Sequence, residues 1–347
     1  MGRGMRFICL VFSLFLWQSS LAETHVKQGE FLGAMHVESL PDWFKATFLD
    51  LSDDLEEATD ENRHMMIYFH QDGCPYCSKL VEDNFHNPAL VKKLQKNFDT
   101  IETNMWGNRD LTDWQGRDFD EKSFSAFMKI QFTPTLVFLN AKGDIVLRLN
   151  GYQSIDKMHA TLDYIANKTY LSESYASYLN RLKKDKSGTL NPSPIFESGP
   201  HMLTRSQQFP ADKYLAVFFE EPNCPECDTF HKNLMPLVDT QKYLKQMQVI
   251  RFNALSDEKL ITPSGERTTA KDWYEKLKLT HKPAIVFFDK DGSEIIRKDA
   301  FFKSFHFHSI MTYVLSGEYK TQPSFQRYIE HKADALREKG ITVNIWE

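Results

Sequence analysis

The residues best placed to do chemistry in this chain are four cysteines, set as Cys74-Pro75-Tyr76-Cys77 and Cys224-Pro225-Glu226-Cys227. Two residues between cysteines let both sulfurs meet at the first turn of a helix, where a disulfide opens and closes with little backbone movement. The first cysteine of each pair, Cys74 or Cys224, is then expected at a helix N-terminus, where unpaired N–H groups favour the attacking thiolate. It would attack a substrate disulfide, and Cys77 or Cys227 would resolve the mixed disulfide and release the product. This chemistry calls for no metal and no cofactor beyond the redox-active disulfides. Two other readings stand beside it. The pairs could share a zinc ion, although structural zinc pairs are usually about 15 to 20 residues apart, against 146 here. They could also be permanently closed staples, although staples normally join distant parts of a chain.

The elements that must position these pairs occur twice. Cys74 and Cys224 are 150 positions apart, Pro134 and Pro283 are 149 apart, Gly143-Asp144 matches Gly292-Ser293, and Tyr178 matches Tyr328. Four landmarks in one register over about a hundred residues make the chain a tandem duplication. Periodicity predicts the same plan in both copies. In the first, a short apolar strand (65–69) runs into the cysteine motif and a helix follows. Asn87-Pro88 caps a second helix through 98, then come a strand (100–104), a helix (121–130), paired strands (135–139, 144–149) and a closing helix (155–166). The second copy repeats this at 214–219, 224 onward, 249–253, 269–277, 284–289, 294–298 and 305–315. This is an α/β sheet with helices on both faces.

A CxxC pair after the first strand, with Thr133-Pro134 or Lys282-Pro283 before the hairpin, resembles the thioredoxin superfamily in both copies. The resemblance implies two tandem thioredoxin-like domains. It implies that Pro134 and Pro283 are cis and lie against the disulfides, and that Thr133, Pro134, Lys282, Pro283 and Tyr76 contact substrate. The first copy resembles exported thioredoxins of the SoxW type and the C-terminal domain of DsbD, through the run from Tyr68-Phe69-His70-Gln71-Asp72-Gly73 into Cys74-Pro75-Tyr76-Cys77 and Thr133-Pro134-Thr135. The function implied is thiol-disulfide oxidoreduction. Reduction of protein disulfides or sulfur-compound intermediates is the leading direction, with electrons supplied by a membrane thiol reductant of the DsbD type. A disulfide oxidase or isomerase, and a non-catalytic binding protein or chaperone, are the alternatives. The chain departs from cytosolic thioredoxin at the buried Asp six positions before the first cysteine, where Tyr68 and Phe218 stand, and at the preceding Trp, replaced by Gly73 and Asn223. Cys-Pro-Tyr-Cys is also the glutaredoxin motif, but Asn140-Ala141-Lys142-Gly143 stands in place of that family's Gly-Gly segment.

The two sites differ in local charge. Glu220, Glu221, Glu226 and Asp228 crowd the second motif. Clustered carboxylates oppose thiolate formation, so Cys224 is expected to titrate above Cys74 and to have the disulfide that is harder to reduce.

Arg3 and Arg6, an apolar run over 7–17 and Ser19-Ser20-Leu21-Ala22 read as an export signal cleaved after Ala22, which takes the fifth cysteine, Cys9, with it. The expected location is the periplasm. The formal charge is −5, or −7 without the signal, which argues against nucleic acid as a partner. Hydrophobic residues at 41% with 27 Phe describe a packed globular protein. The expected organisation is a signal peptide over 1–22, a first domain over 23–182 that begins with an extended arm, a linker over 183–200 and a second domain over 201–347. A capped helix is expected over 52–58, and matching helical additions over 172–182 and 324–339. His306 and His308 read as part of a helix face.

Overall fold

The computed structural model describes residues 28–32, 40–183 and 188–345. The expected export signal and Cys9 lie outside these residues. The chain enters at β1 (Phe31–Leu32) and α1 (Leu51–Asp60). The first copy then runs β2 (His64–His70), α2 (Pro75–Leu80), α3 (Pro88–Asn97), β3 (Phe98–Asn104), β4 (Asp110–Thr112), β5 (Asp118–Asp120), α4 (Glu121–Phe127), β6 (Thr135–Leu139), β7 (Ile145–Asn150), α5 (Ile155–Ala166) and α6 (Tyr175–Leu182). The second runs β8 (Leu215–Glu220), α7 (Pro225–Asn233), α8 (Val238–Leu244), β9 (Gln248–Asn253), β10 (Lys259–Ile261), β11 (Arg267–Thr269), α9 (Ala270–Lys276), β12 (Ala284–Phe288), β13 (Glu294–Lys298), α10 (Ser304–Ser316) and α11 (Phe325–Glu338), closing at β14 (Val343–Asn344).

Each copy builds one four-stranded sheet, in the orders β3-β2-β6-β7 and β13-β12-β8-β9. β2 pairs parallel with β3 and antiparallel with β6, and β8 does the same with β9 and β12. β2 and β8 lie inside their sheets with helices on both faces. This is why they read as unbroken apolar runs instead of alternating ones. The expected α/β architecture, duplicated in tandem, is therefore present.

Local signals set the helix ends. The Asn87 side chain accepts from Ala89 and Leu90 N–H groups while Pro88 occupies the first helical position, and Ser154 caps α5. α2 continues through a π turn at Val81–Phe85. Two small hairpins, β4 with β5 and β10 with β11, were not expected, nor was α8. The arm is tied down by parallel pairing of β1 with β14, with Phe31 opposite Val343.

The apolar packing joins the copies. One face of each sheet has its own core, Met65, Ile67 and Phe124 in the first copy and Val217, Phe252 and Trp273 in the second. The other faces, with the helices that carry the cysteine motifs, belong to a single cluster running from Tyr68 and Phe132 to Phe218, Phe302 and Phe325. Phe132 lies 5.1 Å from Phe302 and 5.4 Å from Phe325, ring centre to ring centre. The two copies cannot separate without exposing part of this cluster to water, which is the main cost that holds them together.

Candidate active sites

The first site forms where β2 meets α2. Gly73 adopts a left-handed φ of 69°, a conformation open to glycine, and so turns the chain from the strand into the helix. The matching position is Asn223, at φ 52°; asparagine is among the few other residues that tolerate it. These turns explain the departure from Trp before both motifs. Cys74 is the N-cap of α2 and Cys224 the N-cap of α7, and each Sγ accepts from the N–H of its partner cysteine at 3.1 Å. Both pairs close as disulfides within their own motifs.

The bonds Thr133–Pro134 and Lys282–Pro283 are cis, and the backbone before each approaches the disulfide. Thr133 Oγ1 donates to Cys74 Sγ at 3.4 Å, while Cys224 Sγ lies 4.0 Å from the Lys282 carbonyl oxygen. Of the residues expected to contact substrate, Thr133 and Pro134 therefore lie at the first disulfide, and Lys282 and Pro283 at the second. Tyr76 is buried and points toward the second copy: its ring lies 5.1 Å from that of His306, and its hydroxyl accepts from Lys303 N–H at 3.2 Å. Burial pushes its phenol up to about 12.

Cys74 and Cys224 are 3% and 2% exposed, and the second copy forms the roof over Cys74. A cavity of about 540 Å³ opens at Cys74, lined by Trp106 and Thr133 from the first copy and by Phe302, His306 and Arg327 from the second. A separate cavity of about 550 Å³ lies against α7, between Phe230, Pro283 and the segment 301–304, with Lys298 in its wall.

Two of the four carboxylates that crowd the second motif in sequence, Glu220 and Glu221, are ion-paired in space. Glu220 meets His231 at 2.8 Å and Arg251 at 3.4 Å. Glu221 meets Lys183 and, at 2.8 Å, Lys282. Asp228 accepts from Asn191 at 2.8 Å. Asn191 and Phe196 show that the expected linker packs beside the second motif, with Phe196 5.1 Å from Phe218.

Strand register exposes how the copies diverged. Leu136 faces Leu149 in the first sheet, and Ile285 faces Lys298 in the second, so a buried leucine in one copy corresponds to a buried lysine in the other. Lys298 donates to the Pro283 carbonyl at 2.9 Å, and burial pushes its ammonium down to about 7. The next residue, Asp299, is also buried and accepts from the N–H groups of Thr280 and His281. Lys157 reaches over from α5 to donate to the Thr280 carbonyl at 2.9 Å. In the first copy, Tyr68 lies deep beneath the motif, its phenol pushed up by burial. Sequence reading missed buried Lys298 and Asp299 and the place of His306 in the wall of the Cys74 cavity; a comparison of β13 with β7 position by position would have marked Lys298.

A family profile described as "Thioredoxin-like domain" matches residues 51–166 and 208–315, more than half of the chain. No curated protein is significantly similar to the chain. Among solved structures, a thioredoxin-fold protein from Helicobacter pylori is similar at 18% identity and a TM-score of 0.35, covering 41% of this chain and 93% of that one. A DsbH oxidoreductase is similar at 16% identity and a TM-score of 0.28, covering 41% and 95%. The first two thioredoxin domains of Saccharomyces cerevisiae Eps1p are similar at 13% identity and a TM-score of 0.26, covering 74% and 93%. The same disulfide, helix cap and cis-proline recur on two matched sheets and the profile covers both, so the chain belongs to the thioredoxin-like domain family and carries two such domains in tandem.

Proposed function

We propose that the protein is an exported thiol-disulfide oxidoreductase that works by dithiol/disulfide exchange at both motifs, with Cys74 and Cys224 as nucleophiles and Cys77 and Cys227 as resolving thiols. The observation that carries this reading is a disulfide at a helix N-cap beside a cis-proline, built twice. The helix terminus favours a thiolate there. Reduction is the preferred direction, on the likeness of the first motif to SoxW-type thioredoxins and the C-terminal domain of DsbD, with a DsbD-type membrane reductant as electron donor and disulfides as substrates. Export to the periplasm with cleavage after Ala22 belongs to the same reading; N-terminal sequencing of the mature protein would then begin at Glu23.

The deciding experiment is the equilibrium reduction potential of each pair in the full chain, measured against glutathione or dithiothreitol buffers, with the other pair replaced by serines. Values near about −270 mV support a reductant, whereas values of about −120 to −180 mV favour an oxidase or isomerase. Burial of both nucleophiles favours a second reading, a binding protein without turnover. Under that reading, Cys74→Ser leaves function intact.

A further inference from the structure

The cavity at Cys74 is lined by both domains and opens to solvent past Asp72, Lys122 and Glu330, and three features of it bear on what enters. The first is access. Gln326 of α11 donates from Nε2 to the Gln131 carbonyl at 3.0 Å and accepts from Gln71 at 3.1 Å, while Phe132 packs against Phe302 and Phe325. The Gln131 carbonyl, two residues before Thr133, is therefore taken up by the second domain, which narrows the approach of an extended polypeptide to the cis-proline. The second is size: about 540 Å³ lies within the range of small-molecule sites.

The third is polarity. Arg327, Lys122, Asp72 and Glu330 line the cavity, and none of the four forms an ion pair with another described residue. Arg327 lies 4.6 Å over the Trp106 ring, and Trp106 Nε1 donates to Gln71 Oε1 at 2.8 Å, so the guanidinium has a fixed platform. His306, from the second domain, also lines the cavity, and its Nδ1 is buried without a hydrogen-bond partner. An unpaired buried polar atom is costly unless something meets it. Burial pushes His306 down to about 4, so it is neutral near pH 7.

We propose that this interdomain cavity binds a small disulfide bearing both ammonium and carboxylate groups, as amino-acid disulfides do, and that it excludes polypeptide disulfides. The proposal rests on the oxidoreductase reading and names the substrate class of its first site. Arg327 and Lys122 face the substrate carboxylates, and Asp72 and Glu330 its ammonium groups. The Cys74 thiolate attacks one substrate sulfur; the protein–substrate S–S bond forms, the substrate S–S bond breaks, and the departing thiolate takes up a proton. Cys77 then attacks Cys74 Sγ and displaces the second substrate thiol. The protein dithiol is oxidised by two electrons to the disulfide, and one disulfide becomes two thiols.

The test uses the full chain with Cys224 and Cys227 replaced by serine, reduced with dithiothreitol and freed of it. Single-turnover thiol release is measured with cystine, with the uncharged hydroxyethyl disulfide and with insulin, each rate divided by that of dithiothreitol on the same disulfide. Cystine is expected to exceed hydroxyethyl disulfide by about tenfold, the factor that one charge-assisted contact supplies, and insulin to be slowest. Arg327→Ala should lower the cystine to hydroxyethyl disulfide ratio. A second measurement, intact mass of Cys77→Ser after exposure to cystine, should show one half-cystine held on Cys74. Insulin reacting as fast as cystine, or equal normalised rates for the two small disulfides, overturns the proposal while leaving the oxidoreductase reading in place. No thiol release from any disulfide by the reduced protein overturns that reading for the first motif, and this proposal with it.

Discussion

The hydroxyl of Tyr76, in the middle of the first cysteine motif, accepts a hydrogen bond at 3.2 Å from the backbone N–H of Lys303, 227 positions further along the chain. One domain thus holds the cysteine motif of the other, and the Tyr76 ring fills the gap against Phe301, Phe302 and His306. Tyr76→Phe should cost about 1 kcal/mol, the net worth of one hydrogen bond. Tyr76→Ala should cost about 3 to 5 kcal/mol through the cavity it leaves. Urea unfolding of the full chain checks both. The alanine variant should also alkylate faster at Cys74 after reduction; an unchanged alkylation rate would mean that the second domain does not cover the thiol.

Thr133 supplies a side-chain donor to the Cys74 sulfur, at 3.4 Å. Hydrogen bonds to a charged form favour it. Thr133→Val should therefore slow alkylation of reduced Cys74 at neutral pH by up to about tenfold, and Thr133→Ser should restore it. Cys224, which has the Lys282 carbonyl at the corresponding place, serves as the internal control.

Lys298 gives the second domain a pH dependence. Its pKa falls from the usual 10.5 to about 7 because burial penalises the ammonium, so between pH 7 and 10.5 the unfolded chain binds the proton that the folded chain has released. Stability therefore rises with pH across this window. Buried Lys282, pushed down to about 8, adds to the same slope. Lys298→Leu, which installs the residue the first domain has at this register position, should flatten the slope between pH 7 and 9.5. Urea midpoints of the oxidised protein at the two ends of that range provide the measurement, and an unchanged slope would refute the assignment.

Glu121 anchors the loop that flanks the first site. It accepts from Asn104 N–H at 2.8 Å and from the Arg109 guanidinium at 2.6 Å. Burial pushes its carboxyl up, but Arg109 and the backbone donors outweigh burial and hold it below the usual range. A lowered carboxyl pKa stabilises the fold above the unfolded value and loses that contribution as pH falls through the folded one. Arg109→Ala should cost about 2 kcal/mol at pH 7, as for a charged hydrogen bond, and should weaken the loss of stability toward acid pH. Denaturation at pH 7 and pH 4 tests both statements.

What the sequence by itself determined is what depends on neighbours along the chain. The cysteine spacing, the prolines before each hairpin, the Asn87-Pro88 cap and the unbroken apolar strands act within a few residues, and their repetition at 150 and 149 positions made the duplication legible. α5 at Ile155–Ala166 and β13 at Glu294–Lys298 match their expected bounds for the same reason. α8 escaped because its N-cap, Leu237, makes no side-chain capping bond, and the three-residue hairpin strands are too short to show a period.

The tertiary structure alone decided which charges meet and what covers each sulfur. Glu221 finds Lys183 and Lys282 from two distant segments, so a carboxylate that reads as part of an acidic cluster along the chain is ion-paired in space. His306 and Arg327 reach the Cys74 cavity only because Phe132, Phe302 and Phe325 pack the two domains into one apolar cluster. Burial of that shared surface is non-directional and spread over many residues. No short stretch of sequence announces it, yet it places the second domain over the first domain's thiol.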